Sequence, residues 1–538
     1  MAGPEPVYNR PQPVQKPTRD STDGRKRAAV CGGGLAGICT ARNLIAVGIE
    51  PIIFDQNPKL GGLWNFNPDV NSGYMYQSCC VNSNRQSLEF PDHHYPETEP
   101  DYPRHPAILR YLDTYVEKFD LYRYACLRSK VIDASETSPG SWRVTYESLD
   151  GYYGRDYVNV DYVVVCTGQT TRPFMPQYPG IEEFEGEIMH AAKFRSADRF
   201  HGKKVLIVGM GTATGCDISQ EISFAASHTS VSVRRGMTLL PRYLLGINRW
   251  DWFAGAAWVY HFGLSKTVNK IYMFILDSLY YCMYGDLKKI GLRKFSSKVD
   301  SKQSTSPICT DACAFPQRVK LGYIKMRGPV KRYTRKGVEF ANGEYHDFDT
   351  VIFATGYHRE IPFTVNKTEF SFPDTPLYKY TFNPSYKNMA FALFMKTVGP
   401  QFPVCWFQSR WVAQVFSGQR KLPPAEAMLK SSKAQTRHHG IGGLDPFDTC
   451  DLFMDAIGYP RPSNWQLFGM MFTRPTFVIK YLFSPRWALW VPAEKLCPPI
   501  SKYPKSSMER VGGKMTVPIG STVTPGTTQP EKPAATAA

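Results

Sequence analysis

One pattern constrains the fold of this 538-residue chain more than any other: an apolar strand, a glycine-rich turn and a helix, occurring twice. In the first copy Ala28–Cys31 enters Gly32-Gly33-Gly34-Leu35-Ala36-Gly37, helical sequence follows to Val47, and a second strand, Pro51–Phe54, ends in Asp55. In the second, Lys204–Val208 enters Gly209-Met210-Gly211-Thr212-Ala213-Thr214-Gly215, a helix follows, and Ser230–Val233 ends in Arg234 and Arg235. Two further buried-strand runs, Tyr162–Cys166 and Thr350–Ala354, close on Thr167-Gly168 and Thr355-Gly356. Continuous apolar runs of this kind suit a parallel sheet covered on both faces. The reading is α/β, with two Rossmann-like dinucleotide-binding domains.

The glycines carry the chemistry. Gly32 permits the tight turn, Gly34 lets backbone approach a pyrophosphate, and Gly37 lets helix pack on strand. The helix N-terminus then offers free N–H groups to phosphate. Asp55 is expected to accept hydrogen bonds from both ribose hydroxyls of an adenosine. The second loop is one residue longer, with Thr214 at the third position and Gly215 after it. Its following strand ends in Arg234 and Arg235 where the first ends in an acid. An acid repels a 2′-phosphate and arginine pairs with it, so this unit should prefer NADP(H). FAD in the first site and NADPH in the second would set a hydride donor against a flavin.

Composition narrows the alternatives. Hydrophobic residues make up 43%, enough for a large core, which excludes global disorder. The net charge of +17 favours anionic partners without choosing among nucleotide, nucleic acid and lipid. The 13 cysteines include no Cys-x-x-Cys and complete no zinc pattern, so a reducing compartment and no metal are expected. No apolar run of about 18 residues escapes charge, so a membrane-spanning helix is not expected. The polar, proline-rich start argues against a secretory signal.

The expected organisation is a disordered arm over 1–24, a first part of the FAD domain over 25–175, and an NADPH domain over 176–345 inserted within it. The second part of the FAD domain and C-terminal helices follow over 346–495, and a disordered tail over 506–538. Within the NADPH domain, 240–300 is crowded with aromatics, and nine Lys/Arg stand against four Asp. That insertion suits a membrane interface or a buried wall; no nucleic-acid module accompanies it.

Between the glycine loops lies Phe184-Glu-Gly186-Glu-Ile-Met-His190-Ala-Ala-Lys-Phe194-Arg195. It matches F-x-G-x-x-x-H-x-x-x-[YF]-[KR], the identifying segment of flavin-containing monooxygenases of the N-oxide-forming type. Leu60-Gly61-Gly62-Leu63-Trp64, Phe353–Tyr357, Gly399–Pro403, Gln408–Trp411 and Leu422-Pro423 resemble the same family. The resemblance spans roughly residues 27–491. It implies NADPH-dependent oxygenation of a soft amine nitrogen or sulfide sulfur, with dioxygen, through a C4a-hydroperoxyflavin. It adds Gly62, Leu63, Trp64, Val81, Asn82, Ser83, Thr167, Thr355, Gly356 and Gln408 to the cofactor-binding set. Asn82 is the residue expected to touch the reacting flavin, with Asn84 the alternative register. His190 is implied to be structural.

The same resemblance implies an endoplasmic-reticulum membrane location, cytosol-facing or peripheral, with a cytosolic enzyme as the alternative. Three rival activities remain. A Baeyer–Villiger monooxygenase would usually carry Trp at Phe194. A disulfide reductase would need a better dithiol than adjacent Cys79 and Cys80. A catalytically silent membrane-associated flavoprotein would consume no NADPH.

Overall fold

The computed structural model describes residues 12, 14–70, 73–210, 214–234, 239–244, 247–248, 271, 274–275, 278–279, 281–291, 308–310, 314–358, 360–370, 375–395, 399–438, 446–459, 463–476, 478, 500, 503 and 505–511. Two five-stranded parallel sheets form the framework. In the first, the order is Met389–Phe391, Tyr162–Val165, Arg27–Cys31, Glu50–Phe54, Ala125–Cys126. In the second it is Glu187–His190, Thr350–Phe353, Lys204–Val208, His228–Ser232, Ile324–Arg327. The chain leaves the first sheet after Tyr162–Val165, builds the second, and returns at Met389–Phe391. The second unit is therefore inserted in the first. Its two linkers run side by side: Arg172–Pro173 pairs antiparallel with Tyr357–His358, and Arg172 grips the Glu360 carboxylate with two bonds of 2.6 Å.

Both sheets are covered on both faces, which explains their unbroken apolar runs. The helix Leu35–Ile45 is buried between the first sheet and the helix Phe402–Phe416, and Thr40 meets Ser409 there through a hydroxyl pair at 3.1 Å. The opposite face packs Cys31, Ile52 and Phe54 on Trp142, Val144 and Tyr146 of the hairpin Ser129–Ser138 and Ser141–Ser148. In the second unit, Phe194, Phe200, Ile207 and Ile218 fill one side of the sheet. Leu206, Val208 and Phe353 meet Tyr333, Val338 and Phe340 on the other.

The chain ends correct the expected disorder in part. Gln15–Pro17 pairs antiparallel with Met508–Arg510, so the arm before Gly24 and the start of the tail form a two-stranded sheet. Arg27 explains why they are held. Its buried guanidinium donates to the carbonyls of Thr18 (2.9 Å), Arg19 (2.8 Å) and Asn159 (2.6 Å), so the arm satisfies a charge that would otherwise be orphaned. Neither strand has an apolar alternation that would mark it in the sequence.

Among the described residues, no helix is long and apolar enough to cross a membrane, and no cluster of His, Cys, Asp or Glu could hold a metal.

Candidate functional site at two sheet switch points

In each sheet the strand that enters the glycine loop lies between a neighbour that follows it in sequence and one that comes from elsewhere. Arg27–Cys31 lies between Glu50–Phe54 and Tyr162–Val165, and Lys204–Val208 between His228–Ser232 and Thr350–Phe353. Such switch points open a crevice at the carboxyl ends of the strands, where dinucleotides bind. Both loops sit there.

The two crevices share detailed geometry. A Cβ on Gly32 would collide with the Cys166 carbonyl, and one on Gly209 would lie 2.9 Å from the Ala354 carbonyl. Both glycines have positive φ, +117° and +87°. The Thr-Gly pairs read in the sequence are thus the strand ends against which each loop is pressed. A Cβ on Gly37 would strike the Gly32 carbonyl. In the second loop the equivalent collision belongs to Gly215, whose Cβ would lie 2.5 Å from the Gly209 carbonyl. Gly215, not Thr214, makes the close approach that Gly37 makes in the first loop. Gly211, Thr212, Ala213 and Arg235 lie outside the described residues, as does most of the 240–300 insertion. Arg234 is exposed at the end of its strand.

The first crevice fits a flavin dinucleotide. Helix Leu35–Ile45 starts at Gly34 with no side-chain cap, which leaves N–H donors for phosphate. Gly62 (φ +54°) brings its backbone against Gly34, where a Cβ would lie 2.6 Å from the Gly34 Cα, so Leu63 and Trp64 follow directly at the loop. The buried Thr167 hydroxyl, beside Gly32, has no hydrogen-bond partner among the described residues. An orphaned hydroxyl there suits a phosphate or ribose oxygen. Ala36 and Gly37 are buried beneath the loop and shape it by packing.

Asp55 is already engaged by its own loop. Its carboxylate accepts from the Gly33 N–H (2.6 Å), the Asn57 N–H (2.7 Å) and the Asn57 Nδ2 (2.9 Å). These bonds take three of about four acceptor sites. Burial pushes this carboxyl above its ordinary value, against the pull of those donors. Gln408 is engaged by the protein on both ends of its amide. It is fully buried, its Oε1 accepts from Leu393 N–H (2.8 Å), and its Nε2 donates to the Thr381 hydroxyl (2.8 Å) and the Phe391 carbonyl (3.2 Å). Its work is to hold Leu393 at φ +58°, so it supports the site from behind.

Asn82 is half-buried, flanked by buried Val81 and Ser83, and meets Arg242 from the later part of the chain. Asn84 caps a short 3-10 turn, its Oδ1 accepting the Ser87 N–H at 2.8 Å. The segment from the Gly62 turn to Asn82 is tied to the second unit. Arg195 donates to the carbonyls of Asn67 (2.7 Å), Asp69 (3.0 Å) and Gly73 (2.9 Å), and Tyr76 donates to Asp217 at 2.7 Å. His190 braces the same junction. Its Nδ1 accepts the Ala192 N–H and its Nε2 donates to the Gly356 carbonyl, both at 3.0 Å. With Nδ1 accepting an N–H the imidazole is neutral, and burial lowers its affinity for a proton.

Arg242 was not singled out by sequence reasoning. Its Nη2 donates to Asn82 Oδ1 at 2.9 Å and its Nε to the Val81 carbonyl at 3.1 Å. The only available signal was its place at the start of a basic stretch. Cys79 and Cys80 are free thiols, and burial pushes Cys79 up to about 12, far from the reactive range of a redox dithiol.

Known proteins resemble this chain in sequence and in fold. Residues 25–489 match the family model for flavin-binding monooxygenase-like proteins. The chain is 31% identical over 488 residues to flavin-containing monooxygenase 5 of Homo sapiens, covering 86% of this chain and 87% of that one. It is 27% identical over 480 residues to dimethylaniline monooxygenase [N-oxide-forming] 2 of Macaca mulatta, with the same coverage of 86% and 87%. Among solved structures, the S-allyl-L-cysteine S-oxygenase of Allium sativum superposes with a TM-score of 0.59 at 22% identity, covering 84% of this chain and 94% of that one. Cyclohexanone monooxygenase of Rhodococcus sp. Phi1 bound to NADP+ superposes with a TM-score of 0.59 at 16% identity, covering 81% and 98%. Likeness at these identities establishes the shared fold.

Proposed function

The chain belongs to the flavin-binding monooxygenase-like family, and from that premise we propose the reaction and the residues that serve it. It is an FAD-containing, NADPH-dependent monooxygenase that takes a small molecule and dioxygen. Its proposed substrates carry a soft nucleophilic nitrogen or sulfur. The observation that supports this most is the pair of equivalent glycine crevices, with Asn82 held by Arg242.

The Gly32–Gly37 loop, Thr167, Asp55 and the Gly62–Trp64 turn would hold FAD. The Gly209–Gly215 loop, with Thr355 and Gly356, would hold NADPH, and Arg234 and Arg235 would pair with its 2′-phosphate. Bound FAD, reduced by NADPH, supplies the oxygen-activating chemistry. The chain's own task is to position and exclude. Arg195, Tyr76 and His190 lock the flavin-side segment to the nicotinamide-side unit, so the two cofactors meet in one geometry. Asn82 supplies an amide beside the reacting region. No acid–base pair is required on the substrate, because a soft lone pair attacks without first losing a proton.

The test offers a tertiary amine, a thioether and a cyclic ketone to the purified flavoprotein with NADPH and labelled dioxygen. The expected products are N-oxide and sulfoxide carrying one labelled oxygen. A lactone as the main product, or hydrogen peroxide alone, would overturn the proposal.

We also propose a peripheral contact with the endoplasmic-reticulum membrane. Trp465, Phe468 and Phe472 are exposed on one side of the helix Asn464–Thr473, and Ile271, Phe274 and Ile275 are exposed elsewhere. The surplus of basic residues favours an anionic lipid surface. Co-sedimentation with anionic vesicles should be weakened by Trp465→Ser with Phe468→Ser; binding unchanged by that pair would exclude this helix.

A further inference from the structure

We infer that Arg242 is a positioning residue that commits the Asn82 amide to act as a hydrogen-bond donor. The inference rests on the proposed role of Asn82 and deepens it. Arg242 comes from the NADPH-binding unit, eight residues after Arg234, and reaches a flavin-side segment 160 positions earlier in the chain. Its guanidinium engages three consecutive residues: the Cys80 carbonyl (3.3 Å), the Val81 carbonyl (3.1 Å) and Asn82 Oδ1 (2.9 Å).

The chemistry of the two groups decides the orientation. A guanidinium has five N–H donors and no acceptor, so only the amide oxygen of Asn82 can face it. A flipped amide would set N–H against N–H. With the oxygen committed, the planar amide directs its NH2 to the other side. Arg242 itself is held: Tyr102 donates its hydroxyl to the Arg242 carbonyl at 2.6 Å, and the Tyr102 ring meets Tyr243 edge-on at 5.2 Å. The segment that carries Asn82 is held on its far side as well, where Val81 N–H donates to the Pro103 carbonyl (3.2 Å) and Arg85 N–H to the Asp101 carbonyl (2.6 Å). Asn82 is thus gripped from both units, and its free choice of donor or acceptor is removed.

The experiment is a double-mutant cycle on the holoenzyme, using Asn82→Ala, Arg242→Ala and the pair. Two readouts are taken: hydrogen peroxide released per NADPH oxidised, and the visible difference spectrum of bound FAD on addition of NADP+. Asn82→Ala should raise peroxide release about tenfold, the scale of one lost hydrogen bond. Arg242→Ala should do the same, the double variant no more, and all three should share one altered difference spectrum. Additive losses, or an Arg242→Ala spectrum unlike that of Asn82→Ala, would overturn the inference while leaving the role of Asn82 intact. No leak from Asn82→Ala would overturn both. Asn82→Asp guards against a folding artefact. Its carboxylate keeps the Arg242 contact but has no donor, so it should melt like the parent and leak like Asn82→Ala. Coupling retained in Asn82→Asp would refute the donor assignment.

Discussion

Gly215→Ala tests the register of the second glycine loop. The added Cβ would lie 2.5 Å from the Gly209 carbonyl oxygen, 2.7 Å from Met210 Cα and 3.0 Å from Met210 C. All three are backbone atoms, so no side chain can swing aside. Gly209 is pinned in turn: its N–H donates to the Ser232 carbonyl at 2.9 Å, and its own missing Cβ abuts the Ala354 carbonyl. To reach even 3.0 Å the helix Thr214–Ile222 must move off the loop by about 0.5 Å. Overpacking of this kind costs about 1–3 kcal/mol, and a backbone collision belongs near the upper figure. At about 2 °C per kcal/mol for a domain of this size, the melting temperature should fall by roughly 4–6 °C. NADPH affinity should fall at least about tenfold, because the same displacement moves the helix N-terminus from the phosphates. Thr214→Ala is the control. If Gly215 fills the third-glycine role, Thr214 only precedes it, and that variant should stay within about 0.5 kcal/mol of the parent. The assays are thermal melting and NADPH titration by flavin fluorescence. Gly215→Ala with parental melting and affinity, or Thr214→Ala with the larger loss, would refute the reasoning.

Three further outcomes are expected. Arg234→Ala should weaken NADPH about 10–100-fold and NADH little, since charge-assisted bonds to the 2′-phosphate are lost; equal losses would remove the assignment. Gln408→Ala should destabilise the fold by about 3 kcal/mol by orphaning the Leu393 N–H, the Thr381 hydroxyl and the Phe391 carbonyl, with the KM for NADPH unchanged; a KM effect at parental stability would place Gln408 at the cofactor site. His93 is held down to about 4 by burial, then by Lys118 and His94, against its ordinary 6.5. The unfolded chain therefore takes up a proton that the folded one refuses, so stability falls as pH drops from about 6.5 towards 4. His93→Gln should flatten that part of the melting-temperature profile, and an unchanged slope would exclude it.

How far the sequence reached depends on the range of the cause. The glycine loops were legible because their cause is local: positive φ at Gly32 and Gly209, and backbone contacts that admit no Cβ, leave one residue type. The buried strands were legible because burial on both faces demands an unbroken apolar run, as in Val205–Val208. The partners of Gln408 were not legible, because a buried amide looks alike in sequence whether its partners are ligand or protein. The partners of Asp55 were hidden for the same reason: its position at the strand end is local, but Asn57 and Gly33 claim its oxygens only once the loop is folded.

The residues alone determined that two strand–glycine-loop–helix units exist and that each lies in a parallel sheet covered on both faces. Tertiary structure alone decided which glycine replaces the displaced third one, that Gln15–Pro17 finds Met508–Arg510, and that Arg242 seizes Asn82. The physical reason is distance along the chain. Periodicity, turns and caps act over a few residues and leave a readable trace. A pairing across 160 positions depends on where two packed units bring their surfaces, and no local pattern encodes that.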